Sequence, residues 1–173
     1  MQIQVDPEAN QDRRADLSNM ETYVDFRTAI TKPPSEDAHL RHILRFYVAR
    51  SLAKSGYADV YIQPQLEMNG QSLEVDVAAV GEDMTMLAIC ETESVTDATV
   101  QKLDALKDAD QTEVIIVYSQ FGDHANVPDR FKEQVDSRKF RLTAVVPPPF
   151  DDVYEYDIWM FETTFRNVLE DEL

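Results

Sequence analysis

The stretch Leu73 to Glu93, LEVDVAAVGEDMTMLAICETE, constrains the fold of this chain more than any other. It alternates with a period of two on either side of a turn, which is the spacing of an extended strand and not of a helix. Leu73, Val75, Val77 and Ala79 fall on one face, and Glu74, Asp76, Ala78 and Val80 on the other. In the second run Met86, Ala88 and Cys90 share one face, while Leu87, Ile89, Glu91 and Glu93 take the opposite one. Gly81, Glu82 and Asp83 supply the turn, so the spacing predicts a β-hairpin.

Two registers are open to that hairpin. A two-residue loop at Glu82-Asp83 sets Asp76 opposite Ile89 and diagonal to Glu91. A four-residue loop, Glu82 to Thr85, sets Asp76 directly opposite Glu91. Either leaves the two carboxylates on one face, roughly 5–8 Å apart. Acids that close repel one another, and Asp and Glu are poor strand formers. A hard divalent cation bound through oxygen would remove the repulsion. The plainer alternative is a solvated sheet face carrying two independent acids.

At Asp76, Glu91 and Glu93 the sequence resembles the PD-(D/E)XK nuclease superfamily, the restriction-endonuclease-like fold. Its pattern is an acid on one strand, a spacer, then Glu or Asp, any residue, and lysine on the next strand. Asp76 matches the first position and Glu91 the second, but Glu93 stands where the family usually has lysine. The order of elements from about Glu36 to Ser119 also matches: helix, three-strand meander, helix, strand. The resemblance implies an α/β fold, a mixed central sheet with a three-strand antiparallel meander flanked by helices on both faces. It also implies a Mg²⁺ (or Mn²⁺) site on Asp76 and Glu91, completed by the backbone carbonyl of Thr92, for hydrolysis of DNA or RNA phosphodiesters.

The departure at Glu93 matters for mechanism. As an anion, Glu93 could be a third metal ligand or orient a water, but it cannot stabilise a transition state as a lysine does. Some restriction enzymes of this fold carry Glu or Gln there. Lys102, on the following helix, could reach back into the site, as the lysine does in some relatives. Glu36, at the start of the long helix, corresponds to an auxiliary acidic position in many relatives. Its spacing to Gly56 is longer than usual, and an acid in a first helical turn is favoured in any case.

Charge pulls the other way. With 33 acidic residues against 16 basic ones and a net charge of −17, the surface is unlike that of a nucleic-acid binder. One explanation is a salty cytoplasm, where screening is severe, with a Debye length of about 3 Å at 1 M. The excess of Asp over Glu and of Arg over Lys leans towards a halophilic source. The other explanation is that the chain does not bind nucleic acid. Apolar residues make up 43%, enough for a globular core, yet no run approaches the length of a membrane span. The opening MQIQVDPEANQDRRAD has no hydrophobic core of the signal-peptide type, and the lone Cys90 suits a reducing cytoplasm.

Along the chain, residues 1–15 read as a loose acidic arm and 16–173 as a single domain. A helix is expected from Asp16 or Ser18 to Lys32-Pro33-Pro34, then another capped by Ser35 and ended by Gly56. Tyr57 to Leu66 reads as a strand, and Asn69-Gly70 as a hairpin turn. After the acidic hairpin, a helix from Asp97 closes near Asp110. Glu113–Ser119 and Arg141–Val146 read as buried strands, the second stopped by Pro147, Pro148 and Pro149. Pro128–Ser137 is expected as a short helix, and Ile158, Phe161, Phe165, Val168 and Leu169 as the stripe of a C-terminal one.

Other candidates carry weaker patterns. His39 and His42, three apart on one helix, lack a third metal partner. Arg41, Arg45 and Lys54 could meet phosphates or lie on a solvated face. Glu74 shares a face with Asp76, and Cys90 has no neighbouring histidine to suggest a triad. Two non-catalytic alternatives follow: an inactive nuclease-fold subunit that binds a protein partner or a second copy through its C-terminal helix, and an acidic mimic of nucleic acid.

Overall fold

The computed structural model of the chain describes residues 3–15, 39–91, 97–119, 140–145 and 155–170. The expected helices near 16–32 and 128–137 lie outside them. In chain order the elements are Gln4–Val5 (β1), His39–Lys54 (α1), Asp59–Ile62 (β2), Leu66–Met68 (β3), Gln71–Leu73 (β4) and Val77–Val80 (β5). Thr85–Glu91 (β6), Asp97–Leu106 (α2), Thr112–Ser119 (β7), Phe140–Val145 (β8) and Glu155–Glu170 (α3) complete them. A short 3₁₀ turn spans Gln11–Arg13.

The strands form two sheets, a five-stranded one in the order β2-β5-β6-β7-β8 and a three-stranded one in the order β1-β3-β4. In the larger sheet β2, β5 and β6 run antiparallel, whereas β6–β7 and β7–β8 are parallel. The mixed α/β architecture with an antiparallel three-strand portion is therefore observed. β7 is apolar on both sides, with Val114, Ile115, Ile116 and Val117 all buried, as a strand covered by helices on both faces requires.

Two cores follow from the alternation. On one face Val77, Ala79, Met86, Ala88 and Cys90 pack with Ile43, Leu44, Tyr47, Val48 and Leu52 of α1 and with Ile158, Phe161 and Phe165 of α3. On the other, Ala78, Leu87, Ile89, Val114 and Ile116 pack with Leu103 and Leu106 of α2 and with Leu66 and Met68 of the small sheet. The partition of β6 between faces is the one its period-two pattern predicts. α1 and α3 are further joined by Glu162, which pairs with Arg50 and, at 3.1 Å, with Lys54.

The meander departs from expectation in one way that positions the site. The run Tyr57–Leu66 is not one strand: β2 stops at Ile62 and β3 starts at Leu66. Pro64 has no N–H for a ladder, and Gln63 adopts φ 49°, which swings the chain out of the large sheet. The hairpin turn then brings β4 back beside β3, with Met68 opposite Gln71 and positive φ at both Asn69 and Gly70. The chain returns to the large sheet through Glu74, Val75 and Asp76.

Residues 3–15, read from sequence as a loose arm, are tied down. Gln4 and Val5 pair with Glu67 and Leu66, and Ile3 is buried in the α2-side core. Asn10, wholly buried, acts as the clasp. Its amide donates to the carbonyls of Asp6 (2.9 Å) and Gln65 (3.0 Å), and its Oδ1 accepts the Gln65 N–H (2.6 Å). Arg14 bridges to Tyr61 on the outer edge of β2. The arm's pattern was too short and polar to reveal this, because its partners are themselves a hairpin inserted far along the chain.

Candidate functional site

The hairpin register is fixed by Val80 opposite Thr85 and by the Gly81 N–H donating to the Met84 carbonyl at 2.9 Å. This is the two-residue loop at Glu82-Asp83. The four-residue alternative, with Asp76 directly opposite Glu91, is overturned, since Val77 lies opposite Ala88 and Asp76 lies one step before β5. Strict alternation also breaks here: Val75 packs with Leu87 and Ile89 on the α2 side, not with Val77 and Ala79 as expected, because the Asp76 N–H bonds the same Ala88 that Val77 faces. The main chain of Asp76 is held from both sides, by Gln63 N–H to the Asp76 carbonyl at 2.8 Å and by Asp76 N–H to the Ala88 carbonyl at 3.0 Å. The acid thus sits where the chain re-enters the large sheet.

Both carboxylates are buried, Asp76 to 6% exposure and Glu91 to 4%, and both line one cleft of about 630 Å³. The repulsion expected between them is relieved at Asp76 by cations and a peptide. Oδ1 accepts a hydrogen bond from Arg45 Nε at 2.7 Å, and Oδ2 accepts the Cys90 N–H at 2.7 Å. Arg41, one helical turn before Arg45, lies with its Nε 3.9 Å from Oδ1 and donates to the Cys90 carbonyl at 3.0 Å. Two arginines of α1 therefore grip the corner made by Asp76 and Cys90.

Lys102 of α2 lines the same cleft, and its ammonium donates to the Glu74 carbonyl at 2.8 Å. Glu74 lines it too, so among the described residues four cations (Arg13, Arg41, Arg45, Lys102) and five carboxylates (Asp6, Glu67, Glu74, Asp76, Glu91) share the lining. The small sheet and the arm close one side, contributing Arg13, Gln63 and Gln65. Arg13 donates to the Gln63 carbonyl, holding the residue whose positive φ turns the chain.

The remaining candidates fall elsewhere. Thr92, Glu93 and Glu36 lie outside the described residues, as does the side chain of His39. His42 packs its ring edge-on against Phe46 at 5.3 Å. Lys54 is bound to Glu162 at the far end of α1, away from the cleft. Cys90 is wholly buried, and its thiol is pushed well up by that burial and then by the Asp76 charge, partly offset by Arg45 and Arg41. A thiol so held stays protonated and is no nucleophile. Sequence reasoning left Arg41 and Arg45 either to meet phosphates or to lie on a solvated face, and missed their grip on Asp76. Their spacing of four residues was the available signal. Arg13 gave none.

The donor set can be tested against a hard cation. Among the described residues no group of three or more His, Cys, Asp or Glu stands together to hold a metal. Two carboxylates on one cleft nevertheless suffice for Mg²⁺, which keeps several waters and takes one or two carboxylates from the protein. Each carboxylate oxygen has two acceptor directions, so a single hydrogen bond to Oδ2 does not exhaust Asp76. The donor chemistry is therefore of the kind such an ion takes, while Arg45 and the Cys90 N–H already hold the two Asp76 oxygens.

No family profile and no curated protein matches the chain. Among solved structures it is similar to protein VC1899 from Vibrio cholerae, with 14% identity, a TM-score of 0.45, and 92% of this chain and 48% of that one covered. It is also similar to Can2 from Sulfobacillus thermosulfidooxidans in complex with cyclic tetra-adenylate, with 13% identity, a TM-score of 0.49, and 94% and 49% covered. The chain spans about half the length of each.

Proposed function

We propose that this chain is a metal-dependent nuclease-fold protein that hydrolyses phosphodiesters of DNA or RNA. The observation that carries the reading is the burial of Asp76 and Glu91 on one polar cleft that Lys102 also lines. Asp76 and Glu91 would hold Mg²⁺ or Mn²⁺, joined by the Thr92 carbonyl as the family resemblance implies. An ion held there would supply a water of lowered pKa and stabilise charge developing on phosphorus. Lys102 supplies the positive charge that Glu93 cannot, from the neighbouring helix. Arg41 and Arg13, which also line the cleft, would receive phosphate oxygens and fix the strand. The −17 charge repels a polyanion at low salt, and screening removes that repulsion as salt rises.

The test is cleavage of supercoiled plasmid and of single-stranded RNA with Mg²⁺ or Mn²⁺, from low to molar salt. Cleavage that rises with salt and is lost in Asp76→Asn and Glu91→Gln is the expected result. Folded protein that cuts neither substrate at any salt overturns the reading.

One observation favours a second reading, an inactive nuclease-fold subunit. Both oxygens of Asp76 already hold hydrogen bonds within the protein, so the acid can serve to pin α1 to β6. In that case Tyr156, Trp159 and Met160, exposed on the outer face of α3, are the surface for a protein partner or a second copy. Loss of assembly in Trp159→Ala, with no cleavage by any variant, would support it. Among the described residues no helix is long and apolar enough to cross a membrane.

A further inference from the structure

We infer that Arg45 is a built-in competitor for the ion, so that α1 controls loading of the Asp76–Glu91 site. The inference rests on the metal-dependent reading above. Arg45 Nε lies 2.7 Å from Asp76 Oδ1, with its side chain only 15% exposed, and so holds the place a cation would take on that oxygen. A guanidinium and a divalent cation drawn to one carboxylate oxygen repel each other, and Mg²⁺ tolerates little distortion of its octahedral shell. One must yield.

Charge points the same way. Arg45 is the cation in contact with Asp76 Oδ1, so a divalent ion approaching that oxygen meets a carboxylate already paired. Without Arg45 the carboxylate loses its nearest cation. Arg41 is a poorer competitor, since it lies 3.9 Å from the oxygen and spends its Nε hydrogen on the Cys90 carbonyl. Because Arg45 is part of α1, whose next turns are packed into the core through Tyr47, Val48 and Leu52, its withdrawal requires a side-chain swing or a shift of the helix start. Whatever engages that end of α1 would set the ion's affinity. Arg45 is on this view a positioning residue, not a catalytic one.

Manganese titration by calorimetry on the full chain tests this without reference to cleavage, with circular dichroism confirming the fold of each variant. Arg45→Gln is expected to bind Mn²⁺ about tenfold more tightly than the unaltered protein, within the usual range of coupling between two ligands. Arg45→Lys keeps the charge without the planar fork and should fall between, and it carries the test if Arg45→Gln fails to fold. In an Asp76→Asn background the Arg45 substitution should change affinity by less than about twofold, because the shared oxygen is gone. A variant that binds no tighter, or a gain that persists with Asp76→Asn, overturns the competition while leaving the ion site standing. If no protein, with or without Arg45, takes up Mn²⁺, the competition and the metal-dependent reading fall together.

Discussion

The Asp76 carboxylate accepts the Cys90 N–H at 2.7 Å through one oxygen and Arg45 at 2.7 Å through the other, so one side chain ties the start of β5 to β6 and to α1. Removing it leaves a mostly buried guanidinium and a buried peptide N–H without their acceptor. Asp76→Ala should therefore destabilise the fold by about 3 kcal/mol in urea, the scale of a broken buried pair. A loss under about 1 kcal/mol would mean that Arg45 is solvated as an exposed ion pair would be.

Cys90 gives a pH dependence of known sign. Burial, and then the Asp76 charge, raise its thiol pKa well above the ordinary value, so the folded chain keeps the proton that the unfolded chain loses near pH 8.5. Above that pH the unfolded state binds fewer protons, and stability falls as pH rises, by about 1.4 kcal/mol per unit from this group. Unfolding midpoints between pH 8 and about 9.5 should fall less steeply for Cys90→Ala than for the unaltered protein. The thiol should also resist alkylation until the protein unfolds. Parallel slopes for both proteins would remove the effect from Cys90.

Asn10 should behave as the clasp of the cleft wall. Two of its three hydrogen bonds join the arm to Gln65, between β2 and β3, the third holds the Asp6 carbonyl within the arm, and Asn10 is wholly buried. Asn10→Ala leaves the Gln65 peptide without partners and should cost about 2 kcal/mol. Hydrogen exchange should show the loss confined to β1, β3 and β4, with β6 and β7 still protected. Uniform loss of protection would contradict a separable wall.

The two faces of α3 should differ sharply. Phe165 is fully buried and stacks against Phe161, with centroids 5.9 Å apart, in the core shared with α1. Phe165→Ala should cost about 3–5 kcal/mol. Trp159, 56% exposed on the opposite face, should cost less than about 0.5 kcal/mol when changed to Ala in the isolated chain. A large loss at Trp159 that depends on protein concentration would place that face in a homo-oligomer.

Much of the large sheet was legible because its information is local. Period-two alternation split β6 between its two faces, and the continuous apolar run of β7 announced burial on both sides. The Asn69-Gly70 turn and the helix end at Gly56, whose φ is 103°, follow from backbone sterics that any reader of the sequence can apply. The small sheet was not legible. Leu66–Met68 and Gln71–Leu73 look like continuations of their neighbours, and only Gln63 and Pro64 mark the break between sheets. The site was half legible for the same reason. Asp76 and Glu91 line one cleft, but the arginine on Asp76 comes from a helix 31 residues earlier in the chain, and the spacing of Arg41 and Arg45 marks a shared helix face without telling what it meets.

The most direct test of the shared ion is crystals of the protein soaked in Mn²⁺ and read by anomalous scattering. A single peak within about 2.5 Å of an oxygen of both Asp76 and Glu91, with Arg45 swung away from Oδ1, is the result predicted. Saturating Mn²⁺ that leaves Arg45 on Asp76 and no peak in the cleft would contradict it.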